Sequence, residues 1–207
     1  LKVLLFAEFF VLIFGLLIAI ARTTTSPVLY PLRLAATIYT DIFRGLPLLL
    51  VLFLVGLGLP GLRISWIPNS AVILGTVALI LTYSAYVAEV IRSGILSVHQ
   101  SQRAAARSLG LTSSQAMRYV ILPQAIRRVI PPLLNDFVSL LKDTGLVSIL
   151  GVTDAVRAAQ INASRTFNYT PYVVAAILFL LITIPLTRFI DRHIRLRSEK
   201  QNSEGLA

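Results

Sequence analysis

Long apolar runs separated by short basic segments make up most of this chain. A membrane-spanning helix needs about 20 mostly apolar residues, and the pattern predicts five such helices. They cover residues 1–21, 34–59, 70–92, 132–152 and 171–190. We therefore expect an all-α integral membrane protein in which residues 1–197 form one transmembrane domain. The polar stretch 198–207 is expected to be disordered.

The second predicted span begins with the sequence FRGLP. Its cleanly apolar part, residues 46–59, would form only about 21 Å of helix, which is shorter than the ~30 Å hydrocarbon core. The span must therefore recruit residues before Gly45 and Pro47 or enter the membrane as a broken helix. We assign Gly45 and Pro47 as a candidate hinge; the alternative is a simple kink at the entrance.

Composition and charge support this membrane assignment and give it an orientation. The chain is 56% hydrophobic and 14% charged, with a net charge of +10. Fourteen of the 19 Lys and Arg residues flank the spans on one side. Since cytoplasmic loops are rich in Lys and Arg, we expect an external N-terminus and a cytoplasmic C-terminus. The charges lie between apolar runs without interleaved aromatic residues, so we expect a lipid membrane as partner and no nucleic acid.

Several kinds of chemistry have no support in the sequence. The chain has no cysteine, and its two histidines, His99 and His193, are far apart, so no disulfide or metal site is expected. No GxxxxGK[ST] phosphate loop and no nucleophile–base set are visible. We therefore expect no catalytic residue and no cofactor bound by this chain. Because the sequence opens at Leu1 and not at Met, we expect that some N-terminal sequence is missing.

The loop 93–131, between the third and fourth spans, is the longest basic segment. Residues 102–109 are dense in alanine and arginine, which favour helix. Ser101 is a suitable N-cap, and Gly110 lies where a left-handed residue would end the helix. The pattern predicts a short cytoplasmic helix followed by a sharp corner.

A second helix is predicted after this corner, with Thr112 or Ser113 as its cap and Pro123 as its limit. The first helix has only about two turns, too few to be stable alone in water. Its small alanine side chains would allow a partner to approach closely. The alternative is an amphipathic connector on the lipid surface, with arginines at the headgroups: Arg103, Arg107 and Arg118.

The spacing of this loop carries a family resemblance. Three alanines from Ala104 are followed by three residues, Gly110, nine residues and a Val-Ile-Leu-Pro run. This resembles the loop motif of binding-protein-dependent ABC importer permeases: Glu-Ala-Ala, three residues, Gly, nine residues, Ile-x-Leu-Pro. Two residues depart from that motif, since Ala104 replaces Glu and Val120 replaces Ile.

Other blocks are similar to permeases of polar amino acid importers: DIFRGLPLLLVLFLVGLGLP, AYVAEVIRSGILSV and VILPQAIRRVIPPLLNDFVSLLKDTGLVSILGV. The resemblance covers nearly the whole chain. It implies the type I ABC importer transmembrane fold, with a cytoplasmic coupling-helix loop between spans three and four. It also implies a multi-pass permease subunit, in the inner membrane of a bacterium, that moves a polar amino acid into the cytoplasm.

The same resemblance implies the partners. They are a dimer of ABC ATPase subunits, which would bind ATP and Mg, an extracytoplasmic amino acid-binding protein, and a second permease copy or paralogue in a homo- or heterodimer. The implied ATPase-coupling residues are Arg103, Ala104, Ala105, Ala106, Arg107, Leu109, Gly110, Leu122 and Pro123. Because Ala104 replaces a carboxylate, we expect this contact to depend on shape and on Arg103 or Arg107, opposite an acidic groove.

Charged residues inside the predicted spans are candidates for the substrate pathway or gate. Lys142 and Asp143 fall near the middle of the fourth span, where each costs about 2.5–3.5 kcal/mol. With Thr144 they resemble the family's Lys-Asp-Thr-Ser run. They could lock or gate the helices, or they could contact substrate.

Two glutamates belong to the same set of candidates. Glu89, near the inner end of span three, could receive the amino group of a substrate, or it could pair with Arg92 or an arginine of the loop. Glu8 could pair with Lys142, line the pathway, or lie near the external interface.

A second functional class remains open at this point. The chain could be a small membrane channel or scaffold that needs no ATPase. Such a protein would be stable and active without partners, whereas a permease subunit would be isolated together with an ATPase.

Overall fold

The structure is a computed structural model that describes residues 1–24 and 26–204, and its described part is built of helices. The helices are α1 (Lys2–Thr23), α2 (Tyr30–Gly45), α3 (Leu48–Gly61), α4 (Ala71–Leu96), α5 (Gln100–Ser108), α6 (Ser113–Ala116), α7 (Leu122–Asp143), α8 (Ala155–Thr166) and α9 (Thr170–Glu204). Turns of 3₁₀ helix cover Pro27–Leu29 and Thr144–Leu150. Wider π turns cover Leu54–Gly58, within α3, and Met117–Ile121, between α6 and α7.

Helix α4 forms the centre of the molecule. In its apolar window 67% of residues are buried, against 28% in α1 and 11% in α9. Helices α1, α2, α3 and α7 pack around it. The main apolar core joins side chains from five segments, among them Val11, Leu52, Leu79, Leu140 and Val147. Small residues of α4 allow its neighbours to approach closely.

Three helices, α1, α4 and α9, are long and apolar enough to cross a membrane, and the bent pair of α2 and α3 makes a possible fourth crossing. The predicted fourth span, 132–152, has a different form. Helix α7 begins ten residues earlier, at Leu122, and ends at Asp143, where the 3₁₀ segment Thr144–Leu150 takes over. The expected loop 93–131 is correspondingly shorter, because α4 continues to Leu96.

The second predicted span is not one helix. Helices α2 and α3 meet at an angle of 105°, and the two residues between them, Leu46 and Pro47, have extended backbone. Proline disfavours helical backbone in the residue before it, which explains why Leu46 leaves the helix. Of the two alternatives for FRGLP, the structure therefore has the broken helix, with Gly45 as the last residue of α2.

The last helix is longer than the sequence predicts. It runs from Thr170 to Glu204 and contains Pro185. It therefore includes most of the polar stretch 198–207, for which the composition favours disorder, and residues 205–207 lie outside the described residues.

Close packing of α4 against α7 leads to the first testable prediction. A Cβ added to the buried Gly94 would overlap Cγ2 of Val129, so Gly94→Ala is expected to lower the free energy of unfolding by about 1–3 kcal/mol. Thermal unfolding in detergent measures the loss. The double variant Gly94→Ala with Val129→Ala should recover part of it, and a double variant no better than Gly94→Ala would contradict the overlap.

Candidate functional site

Helix α5 ends in a sharply defined corner. Gly110 has a φ of +83°, a left-handed conformation that glycine adopts without a steric penalty. The backbone N–H of Leu111 donates to the carbonyl of Ala106 at 3.2 Å, and that of Gly110 donates to the carbonyl of Arg107 at 3.0 Å. These two bonds form a Schellman motif. The left-handed cap expected at Gly110 is confirmed.

The caps that flank α5 differ in part from the prediction. The helix begins at Gln100, and its N-cap is His99, whose Nδ1 accepts from the backbone N–H of Ser101 at 3.2 Å. The expected N-cap at Ser101 is therefore wrong, because the ring of His99, two residues earlier, accepts from a free N–H of the first turn. After the corner, Thr112 and Gln115 form a capping box, which confirms Thr112 as a cap.

Pro123 does not end the second helix. Residues 113–143 are helical without a break, because the π turn Met117–Ile121 widens the helix just before the proline. Pro123 follows this π turn almost directly, where the widened backbone accommodates a residue that has no N–H to donate. The side-chain amide of Gln124 donates to the backbone carbonyl of Val120 at 3.0 Å.

Most of the predicted coupling residues lie on the surface. Only Ala106 is buried, at 3% exposure, and it anchors α5 to the rest of the chain. The remaining members are exposed: Arg103, Ala104, Ala105, Arg107, Leu109, Gly110, Leu122 and Pro123. Leu109 is 83% exposed at the end of α5. The result is a short helix with two basic side chains, two small alanines and one protruding leucine.

The corner itself can be tested by substitution at Gly110. No atom lies within 4 Å of an added Cβ, so the effect of a side chain comes from the backbone conformation. We expect Gly110→Val to cost about 1–2 kcal/mol and to raise amide hydrogen exchange in residues 100–111 by roughly 5–30-fold. Gly110→Asn is the control, since asparagine tolerates this conformation. Unchanged exchange in Gly110→Val would contradict the assignment.

A second group of residues joins the ends of α1, α2 and α4. The Glu89 carboxylate accepts from Arg22 at 2.5 Å and from Arg92 at 2.6 Å, and Arg44 lies 3.7 Å away. We call these four residues the Glu89 cluster. Of the alternatives for Glu89, which were a substrate amino group, Arg92 or an arginine of the loop, the pairing with Arg92 is present, and Arg22 is a partner that sequence reasoning missed. All ion pairs found among the described residues converge on this carboxylate.

Lys142 and Asp143 are the last two residues of α7, because the α-helix gives way to 3₁₀ helix at Thr144 and does not continue to residue 152. The hydroxyl of the buried Tyr83 donates to Oδ2 of Asp143 at 2.7 Å. Thr144 donates to the carbonyl of Leu141 at 2.7 Å. Lys142 is exposed on this chain. Asp143 thus ties α7 to α4, while its neighbour points elsewhere.

Glu8 does not form an ion pair with Lys142 in the described part of the chain. It is partly buried in α1, and the carboxyl of Asp136 in α7 is close enough to interact with it electrostatically. One oxygen of Asp136 is buried without a hydrogen-bond partner among the described residues. Sequence reasoning missed Asp136. The signal was an acidic residue within the apolar stretch LLNDFVSLL.

The two halves of the predicted site are therefore separate. The coupling residues surround one exposed corner, whereas Glu89 and Asp143 belong to different contacts within the bundle. Among the described residues no group of three or more His, Asp or Glu side chains is placed to hold a metal ion.

Comparison with known proteins gives the class of this chain. Residues 11–198 match the family described as "Binding-protein-dependent transport system inner membrane component". The chain belongs to this family, and it is a multi-pass inner-membrane permease subunit of an ABC importer. The resemblance in the sequence motifs is thereby confirmed.

Individual relatives match along most of their length. The chain is 40% identical over 191 residues to a Bacillus subtilis protein named "Probable glutamine ABC transporter permease protein GlnM", covering 91% of this chain and 84% of the relative. It is 32% identical over 203 residues to the arginine transport system permease protein ArtQ of Bacillus subtilis, covering 98% and 90%. A crystal structure of an amino acid ABC transporter with histidines matches with a TM-score of 0.85 and 38% identity, covering 94% and 88%.

Proposed function

We propose that this chain forms the membrane pathway through which a polar amino acid enters the cytoplasm. Relatives named for glutamine and arginine transport support an amino acid substrate. In this proposal α7 and the bent pair of α2 and α3 cross the membrane with α1, α4 and α9. The chain then has five spans, an external N-terminus and a cytoplasmic C-terminus, in keeping with the excess of Lys and Arg on one side.

The exposed helix α5 is the observation that carries the proposal. A two-turn helix does not persist alone, yet this one is held in place by the buried Ala106 and by the Schellman corner at Gly110. Its outer surface is left without contacts inside the described chain. A helix that is fixed in position and exposed on its outer side is suited to docking of a separate protein. Here that protein is the ATPase subunit, which would bind ATP and Mg.

The charge of α5 indicates what the ATPase groove should offer. Arg103 and Arg107 are exposed one turn apart on the same face of α5, and no acidic residue lies in α5. Opposite charges across an interface favour association and fix its register. We therefore propose that the facing groove is acidic. A second permease copy or paralogue and an external binding protein complete the assembly.

Reconstitution tests this function directly. The chain should be isolated from its native membranes together with an ATPase subunit. In proteoliposomes, the binding protein is loaded with an amino acid and placed on the side of the membrane where the external loops lie. Its presence should raise the rate of ATP hydrolysis. A chain that is isolated without any ATPase, and that conducts solutes in its absence, would instead support the channel hypothesis.

Asp143 is proposed as a lock between α4 and α7 and not as a substrate ligand, since Tyr83 already donates to it. Tyr83→Phe should then lower stability by about 1.5–3 kcal/mol, the usual range for a hydrogen bond to a charged group. The KM for transport should stay within about twofold, a change below 0.5 kcal/mol. Tyr119→Phe, at an exposed position, is the control. A KM raised tenfold at unchanged stability would assign Asp143 to the substrate pathway.

A further inference from the structure

An apolar groove of about 520 Å³ lies between α1, α2 and α4. One wall is a row of side chains on α1 that includes Phe6, Phe10, Phe14 and Ile18. Neighbouring rings in this row are 4.9 Å and 5.9 Å apart between centroids. The groove lies along a helix that is apolar enough to cross a membrane.

The few polar groups in the groove are already paired. The Tyr39 hydroxyl lies 2.8 Å from Oγ of Ser84 and donates to the carbonyl of Leu81 at 2.6 Å. Ser84 in turn donates to the carbonyl of Ile80 at 2.5 Å. A hydrogen-bonding solute such as a free amino acid would therefore lose its hydrogen bonds to water and find no new partner on these walls. A hydrocarbon chain has no such hydrogen bonds to lose.

The wall of the groove leads to the Glu89 cluster. Residues four apart are neighbours on a helix, and Arg22 follows Ile18 at that spacing, as Ile18 follows Phe14. Each step of four residues turns the row by about 40°, so the part of the row next to the cluster is Ile18, with Arg22 about 6 Å further along the helix axis. A molecule that lies in the groove as far as Ile18 can therefore place its end group at the cluster.

The Glu89 cluster carries an excess of positive charge, because its single carboxylate cannot neutralise all of its arginines. Three guanidinium groups surround one carboxylate. The side chain of Arg22 is only 9% exposed, and its Nε is buried without a hydrogen-bond partner among the described residues. Excess buried charge is costly, and guanidinium groups are well suited to phosphate oxygens. The side chains of Arg44 and Arg92 are 41% and 30% exposed, so an oxyanion can reach the cluster from outside.

We propose that the groove and the Glu89 cluster together form a binding site for one anionic phospholipid. An acyl chain lies along Phe6–Ile18, and the phosphodiester of the headgroup contacts the guanidinium groups of the cluster. Basic pockets between transmembrane helices bind anionic headgroups in this manner. The apolar groove distinguishes a lipid from inorganic phosphate or from the carboxylate of an amino acid, neither of which has a chain to place in it.

Native mass spectrometry of the transporter purified in mild detergent tests the proposal. Phosphatidylglycerol and phosphatidylcholine with identical acyl chains are added in turn, and the lipid bound to this subunit is counted. Phosphatidylglycerol should bind at least about fivefold better, as expected for about one arginine contact to an anionic headgroup. Arg44→Gln should remove about this advantage. Arg33→Gln, the same change on the same helix, is the matched control and should keep it.

A second variant examines the groove independently of charge. Leu17 lines the groove and is 56% exposed, so Leu17→Trp should fill part of the groove without disturbing the core. Both lipids should then bind less. Equal binding of the two lipids to the unchanged protein, an equal loss in Arg33→Gln, or full binding in Leu17→Trp would each overturn the proposal. Displacement of the lipid by millimolar inorganic phosphate or glutamine would show a site for free oxyanions instead.

Discussion

Replacement of Ala104 by tryptophan is expected to abolish stimulation of ATP hydrolysis by the loaded binding protein. Ala104 lies on the exposed side of α5, opposite the buried Ala106, so a large side chain there leaves the fold unchanged and projects into the docking partner. A clash at a docked interface commonly weakens binding by tenfold or more, or about 1.4 kcal/mol. The measurement is ATP hydrolysis by the reconstituted complex, with and without loaded binding protein.

Two controls separate docking from general damage. Ala104→Ser keeps the small volume and should retain stimulation. Charge reversal examines the proposed acidic groove: Arg103→Glu should weaken association with the ATPase, whereas Arg118→Glu, an exposed arginine beyond the corner, should have a smaller effect. Full stimulation in Ala104→Trp would exclude α5 as the docking element. An unchanged affinity in Arg103→Glu would exclude only the acidic groove.

The largest loss of stability is expected from Glu89→Gln. Removal of this carboxylate leaves three guanidinium groups close together without a counter-charge, and breaking a buried ion pair from one side typically costs about 3–5 kcal/mol. Since the Glu89 side chain is 16% exposed, we expect the lower end of this range. In thermal unfolding the midpoint should fall by about 6 °C or more.

Asp41→Asn provides the matched control, because Asp41 is an exposed carboxylate of α2. Its loss should change the midpoint by about a degree, as is usual for a surface substitution. The double variant Glu89→Gln with Arg22→Gln should be more stable than Glu89→Gln, since it removes one of the unpaired charges. A Glu89→Gln midpoint equal to that of Asp41→Asn would show that the cluster contributes little to stability.

Local features of the fold were predictable from the sequence because their causes are local. Gly110 ends α5 because only glycine adopts a left-handed conformation freely, and Thr112 caps the next helix through a residue three positions away. The position of the alanine-rich helix follows from the same short-range preferences. The limit of the second helix could not be predicted in this way. Pro123 favours a helix end, but the π turn before it accommodates the proline and the helix continues.

Contacts between distant segments could not be predicted in this way. Arg22 and Glu89 are 67 positions apart, and Tyr83 and Asp143 are 60 apart. Nothing in the spacing of either pair identifies its partner, because each depends on how α1 and α7 pack against α4. The 105° bend was predictable only as one of two alternatives, since FRGLP allows a kink as well as a break.

The convergence of three helix ends on Glu89 has a consequence for motion during transport. Separating α1, α2 and α4 would require breaking charged contacts that share one carboxylate, so these helices should move as one rigid body. Helix α7 takes no part in this cluster, and its polar contacts with the α4 segment are those of Tyr83 with Asp143 and of Arg128 with Ser97, the residue after α4. When the corner that follows α5 is displaced, we therefore expect α7 to slide along the fixed unit formed by α1, α2 and α4.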